Sequence, residues 1–156
     1  MNRKHIIVLI SWIAVILWMF LIFNLSSQVA DESDKLSKGI TEIVIKTVEK
    51  VEPRVDFDIS RFNHIVRKNA HFFAYLALGI FVMNAMRRSG RYGYKSVVLV
   101  LLICILYAIS DEVHQLFVPG RGPGVKDVLI DSAGASVGTL VHLGMSRIKK
   151  KVMIRT

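Results

Sequence analysis

Residues 96–118 read SVVLVLLICILYAISDEVHQLFV. The run from Ser96 to Ser110 carries no charge, and Asp111, Glu112, His114 and Gln115 then follow before it closes on Leu-Phe-Val. About 20 apolar residues suffice to cross a hydrocarbon core of about 30 Å as a helix. An ionisable side chain inside lipid is costly, so it faces a bundle interior or a wet cavity. A span that ends on four polar groups is therefore a membrane helix that has neighbours.

The neighbours are in the same chain. Ile6 to Phe23 is an uncharged run of 18 residues; Ala70 to Met86 is apolar or small apart from His71 and Asn84. Asp127 to Ser146 is rich in small residues and holds Asp127, Asp131 and His142. We expect an all-α fold: an integral membrane four-helix bundle with spans at about 6–23, 70–86, 96–117 and 127–146, all in a single domain over residues 1–156. The first run has a basic flank, Asn2-Arg3-Lys4. It exceeds the roughly 7–15 residues of a signal-peptide core, and Asn24-Leu-Ser-Ser-Gln28 is a poor cleavage site. It reads as an uncleaved anchor.

Charge sets the expected orientation. Arg3 and Lys4 precede the first span; Arg87, Arg88, Arg91 and Lys95 join the second to the third; Arg147, Lys149, Lys150, Lys151 and Arg155 follow the fourth. All 12 acidic residues lie in the 24–69 segment or near the opposite ends of spans three and four. The positive-inside rule then puts both termini in the cytoplasm of a multi-pass cell-membrane protein. The net charge of +9 is a topology signal and an attraction to anionic lipid, not a nucleic-acid footprint. The single cysteine, Cys104, reads as a small buried apolar residue.

The external 24–69 segment is the long connection. Leu36, Ile40, Ile43, Val44, Thr47, Val48 and Val51 recur there at helical spacing, and Pro53 follows. They predict an additional extracytoplasmic amphipathic helix of about 18 residues on the membrane surface or over the bundle. Asp58 or Ser60 is placed to cap a helix that runs on into span two. Ser89-Gly90 and Gly93 predict a tight turn between spans two and three, whereas the Pro- and Gly-rich stretch 118–126 excludes regular helix.

Depth brings the polar groups together. His71 is sixteen residues from Arg87, Asp111 sixteen from Lys95, and Asp131 sixteen from Arg147. At about 1.5 Å per residue, all three lie about 24 Å from the inner cations. Arg67, Gln115 and Asp127 form a second level one turn further out, at about 30 Å, and Ser26-Ser27-Gln28 ends the first span near the same height. Arg67, His71 and Tyr75 step by four along one helical face, with Lys68 beside them. Asp111, His114 and Gln115 share a face, with Glu112 about 100° away. Gly134-Ala-Ser-Val-Gly138 is a small-xxx-small pattern, which brings helices into close contact in lipid.

Three of these stretches resemble the signatures of the VanZ-like family: Arg67-Lys-Asn-Ala-His71-Phe-Phe-Ala-Tyr75-Leu-Ala-Leu-Gly79, Asp111-Glu112-Val-His114-Gln115-Leu-Phe-Val-Pro119-Gly120-Arg121 and Asp127-Val-Leu-Ile-Asp131-Ser-Ala-Gly134. Ser26-Ser27-Gln28 after span one is similar too, while Gly122-Pro123-Gly124 departs from the more polar turn of that pattern. The resemblance implies a membrane-embedded protein of the cell envelope. The family's namesake is associated with resistance to teicoplanin, a lipoglycopeptide that targets cell-wall precursors.

The residues themselves leave several readings open. One is an enzyme acting on an anionic lipid-linked envelope molecule, with His71, Asp111, His114 and Asp131 as acid–base groups. Arg67, Lys68, Tyr75, Glu112, Gln115, Arg121, Asp127, Ser27 and Gln28 would then line the substrate. A second is a binder of lipid headgroups, of a lipid-linked cell-wall precursor or of a lipoglycopeptide, without turnover. A third is a structural interhelical ion-pair cluster, and a transporter ranks last. His71, Asp111, His114 and Asp131 also offer nitrogen and oxygen ligands acceptable to zinc or manganese. A divalent metal is not the favoured reading, because no His-Glu-x-x-His pattern is present.

Overall fold

Four helices make up the described part of the chain: α1 (Arg3–Ser26), α2 (Ile59–Arg88), α3 (Tyr94–Gln115) and α4 (Val125–Arg155). The computed structural model describes residues 2–27, 59–119 and 124–155; for 59–64, 67 and 149–155 it describes the backbone alone. Each helix contains a segment long and apolar enough to cross a membrane: Arg3–Ser26, Lys68–Arg88, Tyr94–Gln115 and Val125–Ile148. These lie within a few residues of the spans expected from hydropathy. The expected amphipathic helix at 34–51 lies outside the described residues. α2 begins at Ile59 and runs unbroken into the second span, while Asp58, one of the two expected caps, lies outside the described residues.

α2 is the hub. It packs against each of the other three helices, most extensively against α4. The reason is a reciprocal fit of backbones. A Cβ on Gly134 would overlap the carbonyl oxygen of Phe72; one on Gly138 would overlap that of Leu76; one on Gly79 would overlap that of Ala135. Glycines on both helices thus admit the partner's carbonyls, as the small-xxx-small pattern predicts for α4. Without a hydrophobic drive between helices in lipid, such close van der Waals contact holds them together. Tyr75, Leu78, Val82, Met83 and Ala85 of α2 form the centre of the core.

α1 packs differently. Its buried residues are Ser11, Val15, Ile22 and Ser26, a single narrow stripe spaced 4, 7 and 4, as along a heptad seam. Leu9, Ile10, Ile16, Leu17 and Phe20 are exposed, as a lipid-facing surface requires. Hydrogen bonds fasten it to the bundle. Trp18 Nε1 donates to the Ala74 carbonyl at 2.9 Å, Trp12 Nε1 to Ser89 Oγ at 3.1 Å, and the Tyr107 hydroxyl to the Met19 carbonyl.

The α2–α3 turn is where glycine is needed for its torsion. Gly90 has φ 79°. Arg91 N–H donates to the Met86 carbonyl and Gly90 N–H to that of Arg87. This pair of bonds is a Schellman motif, which satisfies the last carbonyls of α2. Gly93, φ 85°, precedes α3. The turn sets α3 antiparallel to α2, so His71 near the start of one span meets Asp111 near the end of the other.

Candidate functional site

At the end of the bundle opposite Arg87, Arg88 and Lys95, three helices converge. His71 of α2, Asp111 of α3 and Asp131 of α4 each present one ligand atom, and the three atoms lie within 4.8 Å of one another. His71 Nδ1 is 3.8 Å from Asp131 Oδ2. The fourth helix joins through Ser26, whose hydroxyl donates to Asp111 Oδ2 at 2.7 Å. The shared depth read from the sixteen-residue spacings is therefore also a shared location.

Local packing explains the convergence. Asp131 lies less than one turn before Gly134, which abuts the Phe72 carbonyl, and Phe72 is the neighbour of His71. The glycine contact fixes how near the imidazole and the carboxylate come. On α3, Ser96, Val100, Cys104, Ala108, Asp111, Glu112 and Gln115 form one buried stripe. Asp111 is carried inward by the same face that holds the small residues of the core.

Burial is graded along the site. Lys68 Nζ and Asp127 Oδ1 pair at 3.0 Å, with side chains about 29% and 30% exposed. The His71 side chain, one turn deeper, is 20% exposed. Asp111 is 2% and Asp131 0% exposed. Behind His71, Tyr75 is fully buried with an unpartnered hydroxyl. Among the described residues, Asp111 Oδ1 and both oxygens of Asp131 are buried and have no hydrogen-bond partner.

Other expected site residues take different places. His114 is outside the three-residue cluster, and its ring lies on Phe23 with centroids 4.3 Å apart. Three residues beyond Asp111 is 300° of rotation, so its imidazole turns toward α1. Glu112 is buried and accepts a hydrogen bond from the Gly124 N–H at 2.8 Å. Gly124 opens α4, its carbonyl accepting from the Asp127 and Val128 N–H groups. Glu112 thus seats a carboxylate at the positive end of the α4 dipole. Gln115 is buried beside it. Ser27 turns back to bond the Phe23 carbonyl, while Gln28 and Arg121 lie outside the described residues and Arg67 is described by its backbone alone.

Ser26 is the described residue at the end of α1 that reaches the site; of the expected Ser27 and Gln28, Ser27 does not join it and Gln28 lies outside the described residues. The signal was present: the Ser11–Val15–Ile22 stripe extends to position 26, and Ser27 falls about 100° off that line. At the opposite end, His142 lines a cleft of about 650 Å³ with Lys4, Asn84, Arg87, Arg88 and Ser146, so it has no part in the cluster.

The class this defines is a multi-pass helical membrane protein with an imidazole–carboxylate cluster buried at one end of its bundle. A family model described as VanZ/LLP1 matches residues 11–146, and the chain belongs to that family. The matched region contains Ser26, all three signature stretches and the whole cluster. No curated protein and no solved structure matches the chain.

Proposed function

We propose that this VanZ-family protein takes the headgroup of an anionic, lipid-linked cell-envelope molecule at the outer end of its bundle and acts on it by proton transfer. One observation carries the reading: the exposure gradient from Lys68 through His71 to Asp131. A cation stands at the rim, an imidazole at the mouth and carboxylates behind it. Lys68 supplies a charge-assisted contact to phosphate or carboxylate, joined by the charges of Arg67 and Arg121. His71 is the general base, and Asp131 orients it. Water or a substrate hydroxyl, its proton taken by His71, attacks the phosphorus or carbonyl carbon of the headgroup, and the oxygen that leaves as that bond breaks takes the proton back from the imidazolium. The membrane is the cell membrane, with the basic ends of the spans and both termini in the cytoplasm.

The test is lipid mass spectrometry on protein purified in mild detergent and on a deletion strain. Wild type carries an anionic lipid. Lys68→Met retains less of it, by about fivefold for a near-surface cation worth ~1 kcal/mol. His71→Gln retains it, and a strain with that variant accumulates the same envelope lipid as the deletion. Wild-type lipid profiles in both strains would sink the catalytic reading; equal retention by wild type and Lys68→Met would sink headgroup binding altogether. A change in teicoplanin sensitivity that follows the same variants would tie the site to lipoglycopeptide resistance. Fusion reporters at either terminus that respond only on the external side would overturn the orientation.

A second reading is a structural lock. Lys68–Asp127 and His71–Asp131 tie α2 to α4, and Ser26–Asp111 ties α1 to α3. It predicts loss of folded protein on Asp131→Asn and no lipid phenotype from His71→Gln.

A further inference from the structure

We infer that His71, Asp111 and Asp131 hold one divalent cation of the zinc or manganese type, with an open coordination position toward the mouth of the site. The inference rests on the headgroup reading above and keeps its binding part, since the open position would take a headgroup oxygen or water. An imidazole that ligates the ion would not serve as the base, and water on the ion would take that part.

The geometry is near that of a bound ion. Ligand atoms about 2.0–2.2 Å from a tetrahedral zinc lie roughly 3.3–3.6 Å apart. His71 Nδ1 and Asp131 Oδ2 are 3.8 Å apart, and all three ligand atoms fall within 4.8 Å. Small side-chain rotations close the difference. Three protein ligands from three helices leave a further position, as in metal sites that bind an exchangeable group.

Charge makes the same point. Of the four described carboxylates near this end, Asp127 has Lys68 and Glu112 has the Gly124 N–H at the α4 terminus. Asp111 has one Ser26 hydrogen bond to Oδ2. Among the described residues its Oδ1 and both Asp131 oxygens are buried without hydrogen-bond partners, His71 Nδ1 standing 3.8 Å from Asp131 Oδ2. Buried carboxylates require pairing or a metal, and among the described side chains one imidazole supplies at most a single positive charge to two of them. A divalent cation with neutral imidazole balances the three groups. Tyr75 is a further sign. Its hydroxyl is wholly buried with no partner among the described residues, one turn below His71 on the same face of α2, where metal-bound water or an outer-shell contact to a ligand would satisfy it. The ligand types select the ion: imidazole with carboxylate suits zinc or manganese better than calcium or magnesium, which prefer oxygen alone.

The experiment uses the full-length protein in detergent with no envelope lipid added. After dialysis against Zn2+ or Mn2+, wild type is expected to hold about one equivalent of the ion. Loss of an outer partner costs about 10–100-fold in metal affinity, so Asp131→Asn and His71→Ala weaken it by about 100-fold or more. Electron paramagnetic resonance of Mn2+ on wild type labelled with 15N-histidine reads the site without mutation, and hyperfine coupling to one imidazole nitrogen is expected. Folded wild type with no bound Zn2+ or Mn2+, a Mn2+ signal without nitrogen coupling, or undiminished binding in both variants would overturn the assignment. Lipid retention after chelation answers the headgroup question separately. Metal-free protein that still retains its lipid leaves headgroup binding standing without the metal, and metal-loaded protein without lipid does the reverse.

Discussion

Gly134→Ala is the smallest change that should separate α2 from α4 at the level of the site. The added methyl would fall inside the Phe72 carbonyl oxygen, 3.1 Å from its carbon and 3.3 Å from the Leu76 nitrogen. All three are backbone atoms, so no side chain can swing away. Carbon–oxygen contacts between packed backbones settle at about 3.3–3.6 Å, which requires α4 to retreat by about 1 Å. Asp131 is less than a turn away, so the 3.8 Å gap to His71 would open to roughly 5 Å if the retreat lies along that line. Overpacking of this kind costs about 1–3 kcal/mol, and a 1 Å misplacement at a reacting group costs about 100-fold in rate. Thermal unfolding in detergent and cation stoichiometry should both fall. Gly90→Ala is the control: nothing lies within 4 Å of its added Cβ, yet its φ is +79°. It should cost about 1–2 kcal/mol in torsion and leave the site intact. Wild-type unfolding and wild-type cation content in Gly134→Ala would refute the claim that this contact sets the site.

Other substitutions probe single contacts. Ser26→Ala removes the donor to Asp111 and should destabilise by about 0.6–2 kcal/mol, the range for interhelical polar contacts in lipid, as measured by unfolding in bicelles. Trp18→Phe loses the bond to the Ala74 carbonyl but keeps a ring against Phe81; about 0.5–1.5 kcal/mol is expected, and no change would show that bond to be idle. Glu112→Gln keeps an acceptor for the Gly124 N–H and forfeits only the charge at the helix terminus, about 0.3–1 kcal/mol. Glu112→Ala leaves that N–H without its side-chain acceptor and should cost about 1–3 kcal/mol, so an alanine variant no weaker than the glutamine one would contradict the capping role.

The four spans were legible because hydropathy and length are properties of single segments. The cluster was legible because equal distances from the inner cations become equal depths once each segment is a helix. Gly134 and Gly138 were read correctly as a packing face, but Gly79 was not singled out, since its role depends on which carbonyl of α4 lies opposite. His114 and Asp111 differ only in helical phase, and sequence spacing places both near the same face. Rotation about α3 sends His114 to Phe23 and Asp111 to the cluster. Glu112 was ambiguous for a related reason: its partner is the backbone of Gly124, beyond a turn whose course the prolines and glycines do not specify.

The polar fastenings of α1 have a consequence for assembly. α1 is synthesised first, and its lipid-facing surface needs no protein neighbour. Its Ser26 hydroxyl must wait for a carboxylate 85 residues downstream. The backbone clasp of α2 on α4 closes only after the last span is made. The first helix into the bilayer can thus be fastened once α3 is made, whereas the His71–Asp111–Asp131 cluster closes only when α4 joins it.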